Sequence, residues 1–563
     1  MIVRLFKKNR LQKRNQFVEP DEIFLDSKNL QNFDQQQFAG RIETPLKKST
    51  VFLIGGFFTL ILFVFFLRLG HLQIVKGEEY RDISERNTLK KDFIFADRGI
   101  IFDRNGKELA WNTKIPDLDF AQRTYETPGF SHVLGYVSYP SKDKSGVYWQ
   151  KEFIGKDGLE KQYNDFLTGE NGAKVVEEDV FGKVQSENTL DHPKMGGDLF
   201  TTIDKEIQQE LFLMIENFSK EFSYNGGGAV IMDIQNGEIV ASVSYPEYDS
   251  NILSDGKDSA SINKYLTDKR KVFLNRPVAG LYTPGSIVKP FFALGALDLG
   301  IISPSKKIYS SGQIEIPNPY FPDQKTIFRD WKAHGWTNMT EAIAVSSDVY
   351  FYAIGGGYAD QQGMGIANLE KYARMFNIGT KTNVDLPGEV EGIIPNPEWK
   401  ARNFKGEPWR LGNTYHTSIG QYGFQVTPLE MTRAVSTLAT YGKVVTPHFL
   451  LNAQETKENT YFIELNKKNV AVALQGMRDT VTYGTAVTLN VPYANIAAKT
   501  GTAELGVRKD RINSWIVGFF PYENPKYAFT FLMESGPSKT GGASVLSRRF
   551  FDWMSQNKAE YLN

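Results

Sequence analysis

The sequence predicts an α+β protein of more than one domain, tethered by a single N-terminal transmembrane helix, and three observations carry that expectation. An uncharged apolar run, TVFLIGGFFTLILFVFFL from Thr50 to Leu67, is about long enough to cross a ~30 Å hydrocarbon core. After it, short β-type runs punctuated by turn residues extend to residue 197. From residue 198 a helix-period segment leads into two apolar strands, the opening of a new α+β domain.

The elements follow in order. Residues 1–49 mix basic, acidic and amide side chains with few large apolar residues, too polar for a core, and are expected to be a mostly disordered tail. The anchor is expected over residues 50–69. It is longer than the ~7–15-residue core of a signal peptide, sits farther from the terminus, and is not followed by a small-residue cleavage site. Arg4, Lys7, Lys8, Arg10, Lys13, Arg14, Lys47 and Lys48 precede it, so the N-terminus is expected to stay in the cytoplasm and everything after about His71 to lie outside. Residues 70–197 read as a β-rich module, with Asp103-Arg104-Asn105-Gly106 as a hairpin turn and no nucleophile-plus-base signature. In residues 198–563, Thr202 or Asp204 should cap a helix, and Gln235-Asn236-Gly237 should join two strands.

Composition removes several function classes. Lys+Arg and Asp+Glu both number 65, which gives no net charge to attract a polyanion, and no nucleic-acid partner is expected. Without cysteine there are no disulfides, thiolate metal sites or cysteine nucleophiles. At 563 residues, two or more folding units are expected.

The chemistry centres on Tyr282-Thr283-Pro284-Gly285-Ser286-Ile287-Val288-Lys289-Pro290. Pro284 and Gly285 mark a turn that opens a helix at Ser286. Residues three apart share a helix face, so Lys289 can lie beside Ser286 as the base that a weak hydroxyl nucleophile requires. A buried lysine has a lowered pKa, which makes that role possible near neutral pH. The helix start also offers a backbone N–H to a developing oxyanion. Two further stretches follow in order, Ser346-Ser347-Asp348 and Lys499-Thr500-Gly501-Thr502.

Together these resemble the motif set of penicillin-binding proteins and serine β-lactamases. The stretches RGIIFDRNG, GKDGLEKQY, TTIDKEIQ, NRPVAGLYTPGS, VDLPGE, SIGQYGFQVTPLE and GMRDTVTYGTA extend the resemblance from about His71 to the C-terminus. The chain is similar to class B penicillin-binding proteins, the monofunctional transpeptidases of peptidoglycan. Asp348, where most of that superfamily has asparagine, is similar to the elongation-type penicillin-binding protein 2. The resemblance implies a non-catalytic pedestal of dimerisation type over residues 70–197. It also implies a transpeptidase domain over residues 198–563, with an antiparallel sheet flanked by helices.

It further implies that Ser286 attacks a D-Ala-D-Ala bond of a stem peptide, and that an amine of a second stem, or water, resolves the ester. Lys289 would be the general base, Ser346 a proton relay to the leaving group, and Lys499 the holder of the Ser346 hydroxyl. Asp348 would position the lysines or accept a substrate N–H, Thr500 and Thr502 would bind the substrate carboxylate, and Gly501 would permit close backbone approach. The N–H groups of Ser286 and Thr502 would form the oxyanion hole. β-Lactams should acylate Ser286. The expected location is the bacterial cytoplasmic membrane, and the expected partner a SEDS-family (RodA-like) glycosyltransferase. Some relatives hold zinc near the second motif; Asp330 and His334 stand there without a cysteine, so neither metal nor cofactor is expected. Two other readings are a catalytically silent scaffold that activates such a glycosyltransferase, and a β-lactam-binding sensor or hydrolase.

Overall fold

The computed structural model describes residues 48–81, 89–116, 118–178, 184–318, 321, 323–452, 459–506, 509–538 and 542–562. The polar tail expected over residues 1–49 therefore lies, up to residue 47, outside the described residues. The chain divides into two compact units, residues 1–90 with 177–185 and residues 91–176 with 186–563.

In the first unit the apolar run forms a helix, Lys48–Gly70, that continues into a short π-helical turn, His71–Val75. The helix is apolar on every side and none of its side chains is buried, the pattern of a helix whose solvent is lipid. By length and composition it can cross a membrane.

The second unit begins with a four-stranded sheet in the order Leu199–Phe200, Ile101–Phe102, Glu108–Thr113 and Gln122–Tyr125. Asp103-Arg104-Asn105-Gly106 makes the predicted turn: Asp103 N–H donates to Lys107 O at 2.8 Å, and Gly106 takes φ +79°. Leu199–Phe200 runs parallel to Ile101–Phe102. Beneath the sheet, Glu160 accepts from Arg98 Nε at 2.6 Å and from Arg123 Nε at 2.8 Å, with all three side chains fully buried.

Asp204, not Thr202, caps the next helix, Lys205–Phe222, by accepting from Glu206 N–H and Ile207 N–H. The Thr202 hydroxyl instead donates to Ile239 O at 2.7 Å. The core sheet is antiparallel, in the order Ile239–Tyr245, Gly226–Asp233, Tyr527–Pro537, Arg511–Phe520 and Ala497–Leu505. Side chains alternate across it, so Trp515, Val517 and Phe519 enter one core while Ile516 and Phe520 enter another, built on Lys205–Phe222 and Ala543–Asn557. This is the expected α+β layering. Ala497–Leu505 is an edge strand, and it packs against the 3-10 turn Gly285–Val288.

Candidate active site

The predicted helix start at Ser286 is a tighter structure. Gly285–Val288 is a 3-10 turn that passes into the α-helix Lys289–Asp298, whose second residue is Pro290. With three residues per 3-10 turn, positions 286 and 289 eclipse one another. Gly285 sits at φ +59°, and a Cβ there would lie 2.6 Å from Thr502 O. Its N–H donates to Gly420 O at 2.9 Å, and Trp515 Nε1 donates to Thr283 O at 3.0 Å. The nucleophile's turn is thus held by a backbone carbonyl and an indole N–H from two distant segments. Ser286 remains partly exposed in a cavity of about 1020 Å³.

Lys289 is fully buried, and its amine reaches the second motif. It donates to Asp348 Oδ1 at 2.6 Å, to Ser346 O at 2.8 Å and to Ser346 Oγ at 3.4 Å, and lies 5.2 Å from the Phe351 ring centre. Ser346 holds the left-handed conformation, φ +58°, between the helix Met339–Ala344 and the helix Asp348–Gly356. Ser347 caps the latter, and Asp330 locks the junction. The Asp330 carboxylate accepts from Ser347 Oγ at 2.9 Å, Val349 N–H at 3.0 Å and Ser310 Oγ at 3.3 Å. Burial alone would raise its pKa, but these donors, His334 and the Lys289 charge hold it down at about 2.

The third motif lies on the edge strand. Lys499 is fully buried and donates to Ser346 Oγ at 2.8 Å and to Thr500 O at 2.9 Å. Burial, reinforced by the Lys289 charge, pulls its pKa well below that of a free lysine, with Asp348 opposing. Burial likewise pushes the Asp348 carboxyl up, against the pull of Lys289. Thr500 Oγ1 meets Thr485 Oγ1 at 2.5 Å, Thr502 is exposed, and a Cβ on Gly501 would lie 2.7 Å from Pro284 O.

All eight residues picked from the sequence meet around this cavity or directly behind it. Three contributors were not singled out: Gly420 and Thr485, which stand inside the stretches SIGQYG and TVTYGTA, and Asp330 in its role as a clamp. Among the described residues no group of three His, Cys, Asp or Glu side chains forms that could hold a metal. Asp330 Oδ2 is taken by Ser347, Val349 and Ser310, while Oδ1 lies 3.4 Å from His334 Nε2; this pair gains no third His, Cys, Asp or Glu among the described residues, so the donor set does not fit zinc and no step is routed through it.

The comparisons with known proteins agree with this geometry. The family described as penicillin binding protein transpeptidase domain matches residues 227–553, and the penicillin-binding protein dimerisation domain matches residues 119–201. The chain belongs to the penicillin-binding protein transpeptidase family. A relative from Acinetobacter baumannii, peptidoglycan D,D-transpeptidase MrdA, is 29% identical, over 91% of this chain and 88% of its own length. Penicillin-binding protein 2 of Helicobacter pylori, solved in complex with MreC, superposes with a TM-score of 0.68 at 29% identity, covering 84% of this chain and 99% of its own. A chain from a peptidoglycan synthase complex that coordinates polymerization and crosslinking gives a TM-score of 0.69 at 25% identity, covering 91% and 99%.

Proposed function

We propose that this chain is a serine D,D-transpeptidase that crosslinks peptidoglycan stem peptides during cell elongation and is acylated by β-lactams. One observation carries the reading: Ser346 Oγ lies within reach of both buried amines, 2.8 Å from Lys499 and 3.4 Å from Lys289, directly behind the accessible Ser286. A lone serine-lysine pair is common on surface helices; two amines and one carboxylate gathered in a water-poor cluster are not.

Ser286 Oγ attacks the carbonyl between the two terminal D-alanines, forming an ester as the C–N bond breaks. Its proton passes to Lys289 and through Ser346 to the departing amine of D-Ala. Asp348 pairs with Lys289, and burial favours the neutral form of Lys499. The Lys289–Ser346–Lys499 contacts form a continuous path along which the proton can move. The N–H groups of Ser286 and Thr502 receive the oxyanion, a donor pair of which each member supports about 10²–10³ in turnover. Thr500 and Thr502 hydroxyls bind the terminal carboxylate, and Gly501 lets the substrate lie against the strand edge. An acceptor amine then attacks the ester, releasing Ser286; water in its place gives D,D-carboxypeptidation.

Residues 70–197 serve as the non-catalytic pedestal and residues 198–563 as the transpeptidase domain. The N-terminus faces the cytoplasm of a bacterium, with the catalytic domain outside its cytoplasmic membrane. The relatives solved with MreC and within a synthase complex support protein partners, among them a SEDS-family glycosyltransferase that supplies the glycan polymerisation.

The test is intact-mass analysis of the detergent-solubilised full chain after exposure to a β-lactam, beside Ser286→Ala. A long-lived adduct present on the parent and absent from the variant is expected. No adduct with several β-lactam classes would leave the silent scaffold, and rapid loss of an adduct would indicate a hydrolase.

A further inference from the structure

The walls of the cavity that opens on Ser286 carry more charged groups than the reaction uses, and all but one are accounted for. Asp348 is paired with Lys289, and Asp330 is spent on Ser347, Ser310 and Val349. Glu504 is paired with Lys509 at 2.6 Å. His416 is held towards its neutral form by burial and by the Lys509 charge. Arg329 lines the same cavity, is exposed, and has no carboxylate or other side-chain partner among the described residues.

The backbone of Arg329 is fixed on both sides. It closes the strand Lys325–Arg329, paired with Gln313–Pro317 so that Gln313 stands opposite it. Its carbonyl accepts from the Tyr352 hydroxyl at 3.1 Å. Strand alternation sends the preceding Phe328 inward against Tyr415 and His416, with ring centres 5.0 and 5.4 Å away, and turns Arg329 the other way. The next residue is the clamped Asp330. A guanidinium carried on this anchored backbone, without a partner of its own among the described residues, offers a planar fork suited to a carboxylate.

We propose that Arg329 reads a carboxylate of the stem peptide bound at Ser286. This rests on the transpeptidase reading above and adds a substrate class to it. Two carboxylates can stand on the D-Ala pair and the residue directly before it: the C-terminal one of D-Ala, and the second carboxylate of the preceding diamino residue when that residue is a diamino dicarboxylic acid. The shared chemistry is a free carboxylate in the cavity. Thr500 and Thr502 already answer the terminal group, so the upstream one is the expected ligand. Arg329 is then a specificity residue for stems that carry it.

The experiment uses the detergent-solubilised full chain, as parent, Arg329→Gln and Arg329→Lys. It measures D-Ala release from two synthetic stem pentapeptides that differ only in whether the third residue's side-chain carboxylate is free or amidated, and acylation by benzylpenicillin, whose one carboxylate stands for the terminal group. The parent should prefer the free-acid peptide by about ten- to a hundredfold in kcat/KM, the worth of one charge-assisted hydrogen bond. Arg329→Gln should abolish that preference through KM with kcat kept, Arg329→Lys should keep part of it, and benzylpenicillin acylation should be unchanged in both. Equal slowing of benzylpenicillin and both peptides in Arg329→Gln would assign the guanidinium to the terminal carboxylate instead. No change in any reaction would overturn the proposal while leaving the transpeptidase reading standing. A parent that neither releases D-Ala nor is acylated would overturn that reading itself.

Discussion

Asp348 Oδ1 lies 2.6 Å from Lys289 Nζ, with the lysine fully buried and the aspartate side chain 18% exposed. The carboxylate is the one acidic group in direct contact with an amine that also touches both main-chain and side-chain oxygens of Ser346. Removing it leaves a buried amine with neutral partners. Asp348→Ala is expected to cost about 3 kcal/mol, the usual consequence of orphaning one member of a buried pair, and to slow acylation. Asp348→Asn keeps an acceptor oxygen and should cost about 1 kcal/mol. Chemical denaturation and β-lactam acylation rates, measured side by side, check both.

Lys499 is expected to weaken the fold it serves. Its pKa is depressed on folding, so in the pH range between the folded value and the free-lysine value the unfolded chain binds the extra proton. Stability must therefore rise with pH across that range. Lys499→Met removes the group and the dependence. At pH 7 the variant should melt above the parent, the gap should shrink towards pH 9, and acylation should fall by about 10² or more. Thermal unfolding at the two pH values decides the sign.

Backbone crowding at Ser286 makes two glycines intolerant for different reasons. At Gly285 the left-handed backbone and a contact with Thr502 O act together; at Gly501 the obstacle is Pro284 O and Ile287 Cγ2, 2.7 and 2.8 Å from an added Cβ. Gly285→Ala and Gly501→Ala should each cost about 1–3 kcal/mol. Gly256, equally left-handed at φ +66° but with open space around it, serves as the control: Gly256→Ala should cost no more than about 1–2 kcal/mol. Urea unfolding of the three variants orders them.

Glu160 joins the buried guanidinium groups of Arg98 and Arg123. Burial alone would raise its pKa, but Arg123 and Arg98 overcome that and lower it. The stability it contributes is complete above the ordinary glutamate pKa and is lost as pH falls through the lowered folded value. Glu160→Gln leaves two buried guanidinium groups sharing no anion and should cost about 3–5 kcal/mol. Limited proteolysis across residues 91–176, together with a thermal melt, should show the loss, and the parent's acid sensitivity in that segment should be absent from the variant.

What the sequence disclosed and what it withheld divide along range. The hairpin at Asp103 to Gly106, the helix cap at Asp204 and the turn at Gly237 depend on neighbours within a few residues, and each is found where local chemistry puts it. The three motifs were legible because each is a short fixed spacing. The partner of each charged group was not. Lys289 was expected beside Ser286, yet its hydrogen bonds go to Asp348 and Ser346, because the 3-10 turn stacks the two residues while the long side chain carries the amine onward. Arg98 and Glu160 stand 62 residues apart, and nothing local to either marks the other as its partner. The clamp at Asp330 had no local signal, since its ligands come from positions 310, 347 and 349.

The peptide of Gly420 that pins Gly285, and the strand that brings Lys499 to Ser346, both come after Ser286 in chain order. A polypeptide that emerges N-terminus first therefore displays its serine early and receives the amine opposite it late. Throughout that interval the hydroxyl is an ordinary alcohol. A newly made chain should therefore escape β-lactam acylation until Gly420 and Lys499 are in place, and a fluorescent penicillin should label only molecules that have finished folding. Acylation doubles as a quality-control stamp: it counts mature enzymes and passes over unfinished ones.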